Sequence, residues 1–212
     1  MKINAVIPAK GKTNRIDNRN LYQVGKESLV YLACEKLLDC VNVDEVYLDT
    51  ECSDIRAQVK PLISKGLKIL HRPESLANGD VSHDDLMVYS LHRISECDIV
   101  LQFFCTFPLL SSKSIDRAIE KFVNDKKEGQ DSFMLVTEIE PSSLMTKDGK
   151  KILENAVTDT RCLYGTHVES LLKNKSRIGS NPMMIPVSRL ESLDVKTKQD
   201  AELIRRILES NE

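Results

Sequence analysis

The segment Ile7–Asn20, "IPAKGKTNRIDNRN", places several cations in one short stretch directly after the first hydrophobic run of the chain. Its basic residues stand among small polar side chains, one acid and Gly11, and they are Lys10, Lys12, Arg15 and Arg19. Lysine and arginine side chains suit a polyphosphate, particularly beside a glycine that lets backbone N–H groups approach closely. A solvated surface loop whose cations face water is the alternative, and charge alone does not decide between the two.

The spacing of this loop differs from the two common phosphate-binding motifs G-x-x-x-x-G-K-[ST] and G-x-G-x-x-G. Its position must therefore be judged from the elements around it, which are short apolar runs alternating with amphipathic segments. The predicted strands are 3–8, 44–50, 67–70, 98–104, 132–139 and 183–187. The predicted helices are 27–40, 53–64, 82–96, 111–123 and 197–209.

This alternation predicts a Rossmann-like three-layer α/β/α fold with a mainly parallel sheet. Ligands bind beyond the carboxyl ends of the strands in such sheets, and the cationic loop leaves the carboxyl end of the first strand. The alternation stops after Glu140, where the segment Pro141–Cys162 contains turn signals such as Asp148-Gly149. We predict that this segment forms a small hairpin-like excursion from a single domain spanning residues 1–212.

The composition argues against several classes of protein. The net charge of −2 over 212 residues lacks the basic excess of a protein that coats nucleic acid or an acidic membrane. The six cysteines form no Cys-x-x-Cys pair, which is typical of reduced thiols in a cytoplasmic protein and not of a disulfide framework or a zinc site. We find neither a signal peptide nor an apolar run of about 20 residues, the length that a membrane helix needs.

Position by position, Ile7–Asn20 resembles the motif I-P-A-R-G-G-S-K-x-[IL]-P-x-K-N of the acylneuraminate cytidylyltransferases, the CMP-sialic acid synthetases. Further segments are similar to motifs of that family and follow in the same order: "LDTECSDI", "RPESLANGDVSHDD", "FCTFPLLSSKSIDRAIE" and "SLDVKTKQD". By this resemblance, which covers nearly the whole length, the chain is identified as a divergent member of the family and of its nucleotidyltransferase fold.

The resemblance implies a cytoplasmic transferase that moves CMP from CTP to an acidic sugar, a sialic-acid-like nonulosonic acid, and releases pyrophosphate. It also implies Mg²⁺ as cofactor, a homodimer assembled through the excursion 141–162, and a role in polysaccharide biosynthesis. Two alternatives stay open. Changes at Phe104 and Leu110 suggest a different acidic acceptor, such as a phosphonate or a phosphorylated small molecule. Changes at Lys10, Asn14 and Lys196 suggest a nucleotide-binding module without turnover.

The resemblance assigns catalytic roles to Lys10, Arg19 and Asp194. Lys10 stands at the family's phosphate-contacting arginine and keeps the charge without the bidentate fork, whereas Arg19 stands at the lysine of K-N. The nucleotide-binding residues that it implies are Ala9, Gly11, Lys12, Thr13, Asn14, Arg15, Asn20, Arg72, Asn78 and Ser82. For Ser82, capping of the predicted helix is a competing role.

The acceptor-binding residues that the resemblance implies are Gln102, Phe104, Thr106 and His167. Phe104 replaces the glutamine that faces the acceptor in the family, which is why the acceptor itself is in question. Asp194 keeps the first of two aspartates with which the family holds Mg²⁺, and Lys196 replaces the second. Lys196 either neutralises triphosphate charge itself or removes the metal site.

Overall fold

The structure is a computed structural model and describes residues 1–13, 18–77, 79–139, 148 and 156–210. Its strands are β1 (Ile3–Pro8), β2 (Gln23–Val24), β3 (Glu27–Ser28), β4 (Glu45–Thr50), β5 (Lys68–His71), β6 (Ile99–Phe103), β7 (Ser132–Ile139), β8 (Ala156–His167) and β9 (Pro182–Pro186). Its helices are α1 (Leu29–Leu38), α2 (Ser53–Gln58), α3 (Lys60–Ile63), α4 (His83–Leu91), α5 (Ser112–Asp125), α6 (Val168–Asn174) and α7 (Lys198–Glu209).

The main sheet has seven strands in the order β5-β4-β1-β6-β8-β7-β9, and β2 and β3 form a separate hairpin. Neighbouring strands run parallel from β5 to β6 and between β7 and β9, whereas β8 runs antiparallel to β6 and β7. Parallel neighbours need crossover connections, which the helices provide. The predicted three-layer α/β/α architecture with a mainly parallel sheet is confirmed.

The hydrophobic core has one layer on each face of the sheet. On one face, Ile7 and Leu101 pack against the buried sides of α1, α5 and α7. On the other face, Val6 packs with Met87 of α4 and Leu171 of α6. Because successive strand residues point to opposite faces and both faces are covered, the central strands β1 and β6 are mostly apolar, with Asn4 and Gln102 as buried polar residues. Within the described part of the chain, no helix is long and apolar enough to cross a membrane.

Two predicted elements differ most from the observed ones. The predicted helix 53–64 is broken into α2 and α3, because Pro61 lacks an N–H and its ring disfavours a continuous helix. The last part of the predicted excursion, 156–162, opens β8 of the main sheet, and its half-exposed polar residues concealed the strand. The remainder of the excursion lies outside the described residues, except for the turn residue Asp148.

The carboxyl ends of β1, β4, β5 and β6 lie along one edge of the sheet, because these strands are parallel neighbours. The loops that leave them carry the cationic segment after β1, Glu51 after β4, Arg72 after β5 and Phe104 after β6. The fold therefore brings together side chains from four separate segments of the sequence at the edge where a parallel sheet binds its ligands.

Candidate functional site

A cleft of about 350 Å³ opens at this edge of the sheet, and we call it the carboxyl-edge cleft. The loop after β1 forms one wall, the loop after β5 and the start of α4 form the second, and the end of β6 forms the floor. Of the predicted site residues, it brings together Lys10, Thr13, Arg19, Asn20, Arg72, Phe104 and Thr106. A cleft with several cations on its walls favours an anionic ligand.

The loop after β1 is fixed by hydrogen bonds to the end of β4. The backbone N–H of Ala9 donates to the carbonyl oxygen of Asp49 at 2.9 Å, and that of Gly11 donates to Oε1 of Glu51 at 2.7 Å. Gly11 runs so close to Cys52 that a Cβ on it would lie 2.8 Å from the Cys52 sulfur. The glycine is therefore required by the close approach of the loop to β4.

The second half of the same loop turns back toward the cleft. Asn18 has a φ of 53°, in the left-handed region that asparagine tolerates, and the chain then enters a short 3₁₀ turn at Arg19. Asn20 is buried, and its Nδ2 donates to the carbonyl oxygen of Lys10 at 2.9 Å. The backbone N–H of Arg19 donates to Oγ1 of Thr13 at 3.4 Å. These contacts close the loop on itself and present Lys10 and Arg19 to one cleft.

Arg72 forms a buried ion pair at the base of the cleft. Its Nε and Nη2 lie 3.0 and 2.8 Å from Oδ2 of Asp49, and the two side chains are only 2% and 1% exposed. Its Nη1 lies 4.0 Å from Oε2 of Glu51, within ion-pair range but too far for a hydrogen bond. The predicted nucleotide-binding residue Arg72 thus reaches the cleft with most of its donors already committed to β4.

Two titratable groups beside these cations are neutral at pH 7. Desolvation lowers the pKa of His83 to about 4, and the positive charges of Arg177 and Arg72 add to that effect. Burial raises the pKa of Cys105 to about 12, which disfavours the thiolate form that a nucleophilic cysteine needs. The ring of His83 stands edge-on to that of Phe104, with 4.8 Å between the ring centroids. Together these two rings form an uncharged aromatic wall opposite the cationic loop.

His83 is a lining residue that the sequence prediction did not single out. The residue directly follows Ser82, at the first position of α4, and the family resemblance reaches this segment. Its position beside a helix N-cap was available from the sequence, but its contact with Phe104, which is 21 positions later, was not. The packing of α4 against β6 creates that contact.

Asp194 lies next to the cleft, without lining it. The backbone N–H of Val195 donates to the carbonyl oxygen of Thr106 at 2.8 Å, which brings the segment before α7 to the end of β6. Asp194 is not in a strand but in the irregular segment that precedes α7. Its Oδ2 lies 3.5 Å from Nζ of Lys196, while its buried Oδ1 accepts no hydrogen bond from the described residues.

The surroundings of Asp194 decide whether the described residues fit a magnesium ion. Within the described ranges, no group of three or more His, Cys, Asp or Glu side chains could hold a metal by itself. Mg²⁺ is often bound through one or two carboxylates plus substrate phosphates and water. The buried Oδ1 of Asp194 fits that pattern, since it is a carboxylate oxygen still lacking a donor, with Lys196 as a neighbouring cation.

Several other predicted residues that the structure describes do not line the cleft. Lys12 is exposed, and Ser82 caps α4 by accepting the Asp85 backbone N–H at 3.0 Å, so the competing cap role is observed. Gln102 is buried beneath α4, where its Nε2 donates to the carbonyl oxygen of His83 at 3.3 Å. Ala9 is fully buried and contributes its backbone. Asn14, Arg15 and Asn78 lie outside the described residues.

The structure places His167 away from the cleft, which corrects its prediction as an acceptor contact. His167 pairs with Ile99, the first residue of β6, whereas the cleft lies beyond the last residue of that strand. Its Nε2 is 2.8 Å from Nζ of Lys126, and its ring is 5.4 Å from that of Phe122. The antiparallel direction of β8 carries this residue to the amino edge of the sheet.

A larger cleft of about 690 Å³ lies between α5, β7 and β9. It is lined by both acids and cations, among them Arg117, Glu138, Arg189 and Glu191. Neither Asp194 nor any described residue of the cationic loop lines this larger cleft. Chemistry therefore favours the smaller carboxyl-edge cleft as the candidate site.

Comparison with known proteins gives a match to one family and to several solved structures. A family described as cytidylyltransferase matches residues 4–183. Among curated proteins, none matches the chain in sequence. The fold is similar to CMP:2-keto-3-deoxy-manno-octonic acid synthetase complexed with CTP, with a TM-score of 0.77 and 13% identity over 100% of both chains.

Two further structures have the same fold. A 4-diphosphocytidyl-2C-methyl-D-erythritol synthase from Anaerococcus prevotii gives a TM-score of 0.69 at 12% identity, over 98% of this chain and 96% of that one. A bifunctional IspDF from Campylobacter jejuni gives 0.66 at 11% identity, over 95% of this chain and 54% of that one. At such low sequence identity, the similarity to these three structures establishes the fold alone.

Proposed function

The chain belongs to the cytidylyltransferase family and is a CTP-dependent nucleotidyltransferase, and we propose that it transfers CMP from CTP to an acidic sugar, a sialic-acid-like nonulosonic acid. The observation that carries this proposal is the cationic loop Ile7–Asn20, which presents Lys10 and Arg19 to a cleft at the carboxyl edge of the sheet. The similar synthetase whose structure contains CTP acts on an acidic sugar by its printed name, which supports the same class of acceptor here.

In the proposed reaction, an acceptor hydroxyl oxygen attacks the α-phosphorus of CTP. A new P–O bond forms to the acceptor, and the bond between the α-phosphorus and the oxygen that bridges to the β-phosphorus breaks. Pyrophosphate leaves with the electron pair of that bond, and the proton of the acceptor hydroxyl passes to solvent. Negative charge develops on the leaving group, so fixed cations stabilise the transition state. We assign that role to Lys10 and Arg19, which line the carboxyl-edge cleft together with Thr13.

Mg²⁺ is part of the proposal, and Asp194 is the residue that would hold it. When bound, the ion would supply charge neutralisation to the triphosphate and the leaving pyrophosphate. Lys196, 3.5 Å from Asp194, adds a protein cation in the same place. The Lys196 amine offsets part of the Asp194 carboxylate charge. We therefore expect the wild type to need a higher Mg²⁺ concentration for activity than the variant Lys196→Asp, which keeps Asp194.

The aromatic wall of His83 and Phe104 favours a second candidate acceptor. A neutral imidazole and a phenyl ring offer few hydrogen bonds to the hydroxyl groups of a nine-carbon sugar acid. A smaller acidic acceptor, such as a phosphonate or a phosphorylated small molecule, would place its anionic group toward the cations and a less polar part against the wall. The same transfer of CMP would follow.

The test is release of pyrophosphate with CTP and Mg²⁺ against a panel of acceptors: sialic acid, other nonulosonic acids, 2-keto-3-deoxy-manno-octonic acid, phosphonates and phosphorylated polyols. Release with a nonulosonic acid alone supports the first candidate, and release with a phosphonate or phosphate ester supports the second. Binding of CTP without release from any acceptor would contradict turnover and leave the non-catalytic module. Light scattering on the same sample tests the homodimer that the resemblance implies.

A further inference from the structure

We propose that Arg72 is a positioning residue, which acts by clamping Asp49 and Glu51 under the cationic loop and not by contact with the nucleotide. This inference rests on the proposed reaction at the carboxyl-edge cleft. It assigns to Arg72 a role different from the nucleotide contact that the sequence resemblance implies.

The cationic loop rests on two acids, Asp49 near the end of β4 and Glu51 just after it. Ala9 donates its backbone N–H to the carbonyl oxygen of Asp49 at 2.9 Å. Gly11 donates its backbone N–H to the side chain of Glu51 at 2.7 Å. Any shift of Asp49 or Glu51 therefore moves the backbone on both sides of Lys10.

Arg72 contacts the same two acids, through hydrogen bonds to Asp49 and a longer ion pair with Glu51. Its Nη2 donates at 2.8 Å to the carbonyl oxygen of Asp49, the atom that also accepts from Ala9. Its Nε and Nη2 bind Oδ2 of Asp49, and its Nη1 is 4.0 Å from Oε2 of Glu51. A planar guanidinium can hold two acceptors in this forked manner, and a lysine cannot.

The charge of Arg72 is neutralised by a buried partner. The Asp49 carboxylate compensates the Arg72 guanidinium at 2.8 Å, and both side chains are almost completely shielded from solvent. A compensated, committed guanidinium adds little to the attraction of a triphosphate. Removing one partner of such a pair leaves an uncompensated buried charge, whereas removing both charges together is far better tolerated.

A double-mutant cycle of Arg72→Gln and Asp49→Asn, read by CTP affinity without acceptor, separates the two roles. If Arg72 acts through Asp49, each single change weakens CTP binding by about tenfold or more, and the double variant stays within about threefold of the weaker single variant. If Arg72 contacts the nucleotide directly, Arg72→Gln weakens CTP binding while Asp49→Asn leaves it within about threefold of the wild type, and the proposal is overturned.

A spectroscopic readout separates positioning from general destabilisation. The amide resonance of Gly11 reports the hydrogen bond to Glu51, so it should shift in Arg72→Gln and stay shifted in the double variant, which still lacks the guanidinium. An unchanged Gly11 resonance in a folded Arg72→Gln protein would contradict the clamp. If Arg72→Gln fails to fold, Arg72→Lys replaces it, because it keeps the charge and loses the fork. The clamp then predicts a shifted Gly11 resonance and weaker CTP binding, and an unshifted resonance would overturn it.

The two proposals fail in distinguishable ways. CTP affinity and the Gly11 resonance need no acceptor, so the clamp is tested even if no acceptor in the panel releases pyrophosphate. Conversely, pyrophosphate release by the wild type stands whatever the cycle gives. Lys60→Ala on the exposed surface of α3 serves as the matched control for loss of a cation outside the cleft.

Discussion

Gly11 and Cys52 approach each other so closely that a Cβ placed on Gly11 would lie 2.8 Å from the Cys52 sulfur and 2.9 Å from the Cys52 Cβ. Real Cβ atoms do not come so near to such neighbours, so any larger residue at position 11 must push the loop away from β4. The position of Lys10 and the hydrogen bond from Gly11 to Glu51 depend on this contact.

The first prediction follows from that contact. Gly11→Ala should lower stability by about 1–3 kcal/mol through overpacking and weaken CTP binding by displacing the loop. Cys52→Gly in the same protein should restore part of both, because it removes the sulfur and the Cβ. Cys52 is the N-cap of α2, where glycine is accepted. Chemical denaturation and calorimetric titration measure the two effects, with Cys52→Gly alone as the control. A double variant no better than Gly11→Ala would contradict this explanation of the glycine.

The second prediction concerns His83 and pH. The folded protein takes up a proton on His83 only near pH 4, whereas an unfolded histidine does so near pH 6.5. The unfolded state therefore binds more protons between these values, so the contribution of His83 to stability is complete above about pH 6.5 and is lost as the pH falls toward 4. His83→Gln should flatten the dependence of the unfolding free energy on pH in that window.

The same histidine should respond to nucleotide. A bound triphosphate adds negative charge near His83 and offsets the repulsion from Arg177 and Arg72, so the pKa of His83 should rise when CTP binds. Titration of the histidine ring signals by NMR, with and without CTP, measures the change. An identical pKa in both titrations would mean that the triphosphate lies elsewhere.

The third prediction concerns Gly165 of β8, which faces Phe133 of β7 across the sheet. A Cβ at Gly165 would overlap the Phe133 ring, so Gly165→Ala should destabilise the fold by about 1–3 kcal/mol. Combined with Phe133→Leu, it should cost less than the sum of the two single changes, because the overlap is removed. Urea denaturation of the four proteins measures this coupling. Strict additivity would show that the glycine serves another purpose.

The fourth prediction concerns acceptor choice. Phe104→Gln restores the residue that the acylneuraminate cytidylyltransferases have at this position, and it opens the aromatic wall beside His83. We expect CTP affinity to change by less than about threefold, while the preference among acceptors, as a ratio of kcat/KM values, shifts by about tenfold or more. Phe104→Leu is the matched control, since it stays apolar. Equal acceptor profiles for Phe104→Gln and the wild type would remove Phe104 from acceptor recognition.

The sheet and the place of the cleft could be predicted from the sequence, because both depend on local periodicity. The apolar run Ile3–Pro8 and the cations directly after it are read without knowledge of the rest of the chain. β8 could not be predicted in the same way, because polar residues such as Asp159 interrupt its first half where it pairs with β7.

The side-chain contacts of the site were the less predictable part. Lys10, Arg19 and Thr106 were proposed from motif positions, and the structure brings them to one cleft. The pairing of Arg72 with Asp49 depends on the register of β4 and β5, which no local pattern encodes. His167 was misplaced for a similar reason, since its location depends on the direction of β8.

The most direct test of the central claim is calorimetric titration of CTP with Mg²⁺ into the wild type, the variant Lys10→Ala/Arg19→Ala and the control Lys60→Ala. Contacts with charged groups contribute about 1.5–3 kcal/mol each, so the account predicts that the double variant binds CTP about 100-fold more weakly or worse, with Lys60→Ala unchanged. Equal CTP affinity in all three proteins would contradict the assignment of the carboxyl-edge cleft as the nucleotide site.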